Sequence, residues 1–460
     1  MTPWVDDASA ALLTDQYQLT MAQAYFEGGF TREAVFELFV RKLPPRRNYL
    51  VACGLDDALH FLETMRFGPE AIAVLARDAR FKPAFLERLA ALRFTGDVDA
   101  VPEGTPVFPG EPLLQVVAPL PEAQLAETFL LNQVVFQTII ASKAARVVAA
   151  AQGRTVIDFG LRRMHGTDAG MKAARAAYIA GVDGTSNVLA AAVYGIPASG
   201  TMAHSYVQAH ESEMNAFREF AALYPDTVLL VDTYDTLAGV RNVIRLAREL
   251  GPAFRVRALR LDSGDLLALS VEARRMLDEA GLRHVGLLAS GGLDEDRIAD
   301  LVARGAPIGG FGVGTSMGVS DDAPSLDAAY KLVEYDGKGR MKLSSGKATV
   351  PGRKQIFRTD AGDVVARFGE RCPGRPLLEP VMRGGRRTKS ASLGQARAHA
   401  RTERERLPAP LRELGPADRP YRVVLSDALA AERDLLHAGL TQDGAAAMAG
   451  STSEPRAGRA

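Results

Sequence analysis

Arg257-Ala258-Leu259-Arg260-Leu261-Asp262-Ser263-Gly264-Asp265 is the stretch whose reading decides the fold. It opens as a short strand-forming run and closes on a polar turn, and an amphipathic segment of helical length follows over residues 271–280. Such a strand, turn and helix make one βα unit. The unit recurs on both sides. Strand-like runs lie at residues 155–159, 196–200, 228–232, 285–290 and 308–314, with helical segments at 236–250 and 294–304. Strand starts fall roughly 25–40 residues apart, the repeat of a βα crossover. The class is α/β, and a barrel and a doubly wound sheet both fit.

Working outward, residues 1–125 are mixed. A helix is expected over 15–26, an alternating strand over 35–41, a Pro-Pro-Arg-Arg turn at 44–47 and a short β-run at 113–117. This reads as an N-terminal α+β domain, followed by a βα catalytic domain over 126–335. A C-terminal segment, 336–440, is expected to pack back on the N-terminal domain, with strands near 354–358 and 364–367. Its basic stretch 381–420 is nearly without aromatics and reads as a solvated surface rather than a nucleic-acid patch. Residues 441–460, small and polar, read as a disordered tail.

Composition narrows the function. Of 460 residues 47% are hydrophobic and 24% charged, as in a globular protein with a large core. Lys+Arg and Asp+Glu are both 55, so no global attraction to nucleic acid or an anionic membrane is expected. Two cysteines, Cys53 and Cys372, cannot make a disulfide framework or a four-cysteine zinc site. The first residues carry acids where a signal peptide needs bases, and the apolar stretch 130–151 is interrupted by Asn132, Gln133, Gln137, Lys143 and Arg146. A cytoplasmic enzyme is the expectation.

The chemistry-bearing residues gather where strands end, the face on which βα folds bind ligands. Ser290-Gly291-Gly292 and Gly312-Val313-Gly314-Thr315 follow the last two strand runs. Glycines let backbone N–H groups converge on a phosphate, and that reading outweighs two plain turns. Neither a P-loop nor a Rossmann glycine fingerprint occurs. Arg260 is either a fork for a substrate carboxylate or half of a buried ion pair with Asp232 or Asp262. Asp232, Asp235, Asp262 and Asp265 together could hold magnesium or sugar hydroxyls, although any one alone reads as a helix N-cap. His204, in Gly200-Thr201-Met202-Ala203-His204-Ser205, suits a base, nucleophile or ligand. No second histidine has metal spacing; Arg162 and Arg163, beside His165, make another anion-attracting spot.

Taken in order, these runs resemble the nicotinate phosphoribosyltransferase family. The matching stretches are Leu13-Thr14-Asp15-Gln16-Tyr17-Gln18-Leu19-Thr20-Met21, Asp158-Phe159-Gly160-Leu161-Arg162-Arg163, Gly184-Thr185-Ser186-Asn187, the run ending in His204-Ser205, Asp232-Thr233-Tyr234-Asp235, Arg260 to Asp265, Ser290-Gly291-Gly292 and Gly314-Thr315-Ser316. The resemblance implies an incomplete βα (TIM-like) barrel with an N-terminal α+β domain and a C-terminal segment. It implies a homodimer with shared active sites. It also implies an ATP-coupled reaction of nicotinate with 5-phosphoribosyl 1-diphosphate, giving nicotinate mononucleotide and diphosphate in NAD salvage, with ATP as co-substrate and Mg2+. Tyr17 of the neighbouring subunit and Phe159 would sandwich the pyridine ring. Arg260 and Thr201 would take its carboxylate. Arg162, Ser290, Gly291, Gly292, Gly312, Gly314 and Thr315 would hold phosphoribosyl diphosphate. Asp232 and Asp262 would lie by the ribose and magnesium, and His204 matches the histidine that ATP phosphorylates. A sister enzyme for nicotinamide or quinolinate is the alternative. The cysteine-rich zinc site of some family members is missing, since Cys372 stands alone in that region.

Overall fold

The βα repeats form one six-stranded parallel sheet. In the computed structural model, which describes residues 4–344, 348–388 and 391–451, its order is Gly184–Thr185, Thr155–Asp158, Gly310–Val313, Gly286–Ala289, Ala258–Leu261, Val228–Leu230. Every pairing is parallel. Gly310–Val313, third in that order, is buried along its whole length. Helices Thr236–Leu250, Leu266–Glu279 and Glu295–Ala303 start from Asp235, Asp265 and Asp294, whose carboxylates accept backbone N–H groups of the first turn. The local sequence thus fixes where each strand stops and brings all these turns to one edge.

The run 196–200 does not become a strand. It gives one parallel bridge, Ala198 to Thr185. Pro197 can offer its carbonyl to the Thr185 N–H but has no N–H of its own, so the ladder stops there. Among the described residues nothing pairs this side with Val228–Leu230, and the sheet is an open half-barrel.

A second, antiparallel sheet draws on distant parts of the chain. Its order is Lys338–Gly339, Ala328–Tyr335, Glu33–Val40, Pro112–Pro119, Asp97–Ala100, Glu379–Arg383, Arg386–Arg387. Ala328–Tyr335 therefore leaves the unit expected to run to 335. It pairs with Glu33–Val40 from Ala34 opposite Tyr335 to Val40 opposite Ala328, and Phe36 stacks on Tyr330 at 4.9 Å. Lys354–Thr359, Gly362–Arg367, Arg375–Pro376 and Val423–Leu425 make a small separate sheet.

Between the two large sheets runs the helix Glu127–Ala151. By length and composition it could cross a membrane, but 78% of its most apolar window is buried inside the protein. Its polar side chains are paired: Gln137 donates to Asp57, and Lys143 and Arg146 meet carboxylates described below.

The basic stretch 381–420 is solvated over most of its described length, as expected, but several of its arginines turn inward to partners. Arg383 pairs with Asp99, and Arg387 with Asp56 and Glu63. Arg397 donates to the Tyr178 and Gly181 carbonyls that end the helix Thr167–Ala180. Past residue 440 the chain is also not without structure, because the helix Asp427–Ser451 continues through it. The expectation for 452–460 lies outside the described residues.

Candidate active site

A cleft of about 550 Å³ opens along the edge where the parallel strands end. Phe159, Arg162, Thr201, His204, Arg260, Asp262, Ser290, Gly291, Gly292, Gly312, Gly314 and Thr315 all line it. Residues spread over more than 150 positions meet here because most lie at or just past the end of a parallel strand, and Thr201 and His204 follow the bridge at Ala198. Asp158, last in Thr155–Asp158, braces this edge: it accepts from the Gly160 N–H and the Thr185 hydroxyl, both at 2.8 Å. Burial raises its pKa, and those two hydrogen bonds partly offset the rise.

Arg260 leaves Ala258–Leu261 with its guanidinium 5.8 Å from the centre of the Phe159 ring. One nitrogen donates to the Met202 carbonyl at 2.8 Å. Asp262 is 3.8 Å away, too far for a hydrogen bond, and the Arg260 Nε is buried without a partner. Burial pulls its pKa down, against the pull of Asp262 and Asp232. The buried ion-pair reading is therefore met only loosely. The guanidinium keeps unused donors beside an aromatic face, which suits a planar anion.

The carboxylates divide. Asp235 and Asp265 are N-caps, so the group of four imagined from sequence separates into pairs. Asp232 sits behind the cleft wall. Its Oδ2 accepts from the Asp262 N–H at 2.9 Å and the Ser263 hydroxyl at 2.5 Å, while its Oδ1 is buried and unpartnered. Asp262 faces the cleft and accepts from the Ser290 hydroxyl. Among the described residues no cluster of three His, Cys, Asp or Glu gathers to hold a metal.

The glycines are used for close approach. Gly291 has φ +87°, and a Cβ there would stand 1.9 Å from the Asp262 carbonyl oxygen. A Cβ on Gly312 would meet the Phe159 ring at 2.4 Å. Both positions exclude a side chain.

His204 opens the short helix His204–Gln208 and is 41% exposed to the cleft side. Its Nδ1 is 3.1 Å from the Thr233 hydroxyl, and its Nε2 is 3.8 Å from Asp262. Tyr17, on the helix Gln16–Gly28, does not line this cleft and is 47% exposed.

Models of the nicotinate phosphoribosyltransferase N-terminal domain and of the nicotinate phosphoribosyltransferase family match residues 12–135 and 155–365. The chain belongs to the nicotinate phosphoribosyltransferase family. It is 56% identical over 429 residues to nicotinate phosphoribosyltransferase pncB2 of Mycobacterium tuberculosis, covering 92% of this chain and 93% of that one. The human nicotinate phosphoribosyltransferase is 34% identical over 94% of this chain and 97% of its own. The crystal structure of human nicotinic acid phosphoribosyltransferase superposes with a TM-score of 0.83 at 32% identity, over 92% of this chain and 99% of that one.

Nicotinate phosphoribosyltransferase motifs quoted from the sequence thus supply most of the cleft, apart from Tyr17 and Asp232. Two contributors were not singled out. Thr233 touches His204, and the Met202 carbonyl anchors Arg260. Thr233 lies inside the Asp232–Asp235 run, where a hydroxyl next to a strand-end acid was the available signal. A backbone carbonyl leaves no signal in the sequence.

Proposed function

We propose that this cleft joins nicotinate to C1 of 5-phosphoribosyl 1-diphosphate with release of diphosphate, and that ATP is coupled to the transfer through phosphorylation of His204. The transfer is the activity of the family, an entry step of NAD salvage. The observation that carries the substrate assignment is Arg260, with free donors beside the Phe159 ring in a cleft whose other walls are two glycine loops.

Nicotinate lies with its ring on Phe159 and its carboxylate on Arg260, assisted by Thr201. The 5-phosphate sits on the backbone of Ser290–Gly292 and Gly312–Thr315, and Arg162 faces the diphosphate. The pyridine nitrogen forms the bond to C1 as the C1–O bond breaks, and its electron pair leaves on diphosphate. Positive charge builds on the ribose, so the acids nearby stabilise the sugar. Asp232 and Asp262 offer hard oxygen donors suited to magnesium, and the unpartnered Asp232 Oδ1 fits that reading. Bound magnesium would neutralise charge on the leaving diphosphate. His204 takes the γ-phosphoryl of ATP and gives it to water. ADP and phosphate form as nicotinate mononucleotide and diphosphate are released. The half-barrel is read as the incomplete βα barrel of this transferase class. A cytoplasmic homodimer, with Tyr17 of the partner subunit closing the far side of the ring, completes the reading. The exposure of Tyr17 supports it.

The test measures product from nicotinate, nicotinamide and quinolinate with phosphoribosyl diphosphate and Mg2+, with and without ATP. Product from nicotinate alone, raised by ATP, is expected, and His204→Ala should keep slow transfer but lose the ATP effect. Turnover of nicotinamide or quinolinate instead would overturn the assignment of Arg260. Full ATP stimulation of His204→Ala would overturn the phosphohistidine.

A further inference from the structure

Beneath the two glycine loops lies a charge cluster, buried at Lys143 and Glu295 and open to solvent at Asp321, that takes no part in the chemistry above. Lys143, on the central helix, is 3% exposed. Its ammonium is 2.6 Å from Glu295, 2.9 Å from Asp322 and 3.3 Å from Asp321. Glu295 begins the helix that follows Ser290-Gly291-Gly292. Asp321 and Asp322 follow the short helix Thr315–Val319 that leads out of Gly312–Gly314. Asp321 also accepts from the Ser316 hydroxyl at 3.1 Å, so this contact reaches the cleft wall. Arg146, one turn further along, donates to the other Glu295 oxygen at 2.8 Å, and Arg47 takes Asp322 at 2.7 and 3.0 Å.

We propose that Lys143 is a positioning residue for phosphoribosyl diphosphate: a single ammonium ties the exits of both glycine loops to one rigid helix and so sets the spacing of their phosphate-binding backbone. This rests on the reading that the loops hold the 5-phosphate. The arrangement follows from geometry. The two strands before the loops are neighbours in the sheet, but each loop leaves its strand through glycines that cannot hold a shape by side-chain packing. Something outside the loops must fix them, and a buried side chain with three donors can serve two exits at once. Burying that charge is costly unless opposite charge meets it, and here Lys143 donates to Asp322 and pairs with Glu295, one acid from each loop exit. The carboxylate of Asp322 feels burial, which would raise its pKa, yet the bonds from Arg47 and Lys143 hold it well below the ordinary range.

The experiment compares wild type with Lys143→Met and with Glu295→Gln, which frees only the Gly291 loop. It reads KM for each substrate, calorimetric affinity for ribose 5-phosphate, and thermal midpoint. Loss of loop spacing should raise KM for phosphoribosyl diphosphate and weaken ribose 5-phosphate by about tenfold or more, with KM for nicotinate nearly unchanged. If Lys143→Met does not fold, Glu295→Gln decides alone. Lower thermal midpoints with both phosphate readouts unchanged would mean a merely structural cluster and overturn the proposal. Wild type that fails to bind ribose 5-phosphate would instead overturn the phosphate-loop reading, and this inference with it.

Discussion

At Gly291 the backbone stands in the left-handed region, and the Asp262 carbonyl occupies the place of a side chain. Gly291→Ala must push the Asp262 turn or the loop aside. Both belong to the cleft, and displacements near 1 Å cost catalysis heavily, so kcat/KM should fall by about 100-fold in steady-state assays. Arg260 makes a different kind of contribution. Arg260→Gln keeps a donor but loses the charge, and a hydrogen bond to a charged partner contributes about 1.5–3 kcal/mol. The KM for nicotinate should rise roughly 10- to 100-fold, with no comparable loss for a neutral pyridine amide. Arg260→Lys should rescue little, because a point charge cannot replace the fork. Equal losses for acid and amide would show that Arg260 only supports the wall.

At the scale of elements, the ion pairs under the loops make the contact of the central helix with the parallel sheet sensitive to acid. Glu295 is buried and Asp322 only partly screened from water, which would raise both, but bonds from Arg47, Lys143 and Arg146 leave both below their ordinary values. A depressed carboxylate stabilises the fold above its unfolded pKa of about 4, and that stability is lost as pH falls toward the folded value. Asp158 and Glu37 are raised by burial and act in the opposite sense. Asp322→Asn isolates the first effect. Denaturant titrations of wild type should show stability falling between about pH 5 and 3, with a smaller fall in the variant. Identical slopes would contradict the pairing. Elements also explain what could be read beforehand. Asp235, Asp265 and the glycine loops carry local turn chemistry, so strand ends, helix starts and most of the cleft were legible. The pairing of Glu33–Val40 with Ala328–Tyr335 joins residues about 300 apart, and no local pattern encodes it. The strand Glu379–Arg383 carries a proline and an arginine and reads as surface. It becomes a strand because Asp97–Ala100 offers it a partner and Asp99 meets Arg383.

For the whole molecule, the proposed dimer places Tyr17 of one subunit against Arg260 of the other. A mixture of two impaired variants, assayed at nicotinate well below their KM, tests this. Tyr17→Ala and Arg260→Gln each spoil every site in their own homodimer, but a heterodimer holds one intact site. After mixing under conditions that exchange subunits, activity should return to about a quarter of wild type, because half the dimers are mixed and each has one good site of two. No recovery, with exchange confirmed by labelled subunits, would place Tyr17 outside the shared site.

The seven-stranded sheet also sets a schedule for biosynthesis. Asp97–Ala100 emerges early, yet its neighbour Glu379–Arg383 is made some 280 residues later. At about 5–20 residues per second the nascent chain waits roughly fifteen seconds to a minute with that strand edge unpaired. The parallel sheet, whose last strand ends at Val313, is fully translated before then. Newly made chains therefore carry a translated parallel sheet, the proposed phosphoribosyl-binding half, beside an open β-edge, and that edge is where chaperone binding or mispairing between neighbours on a polysome would begin.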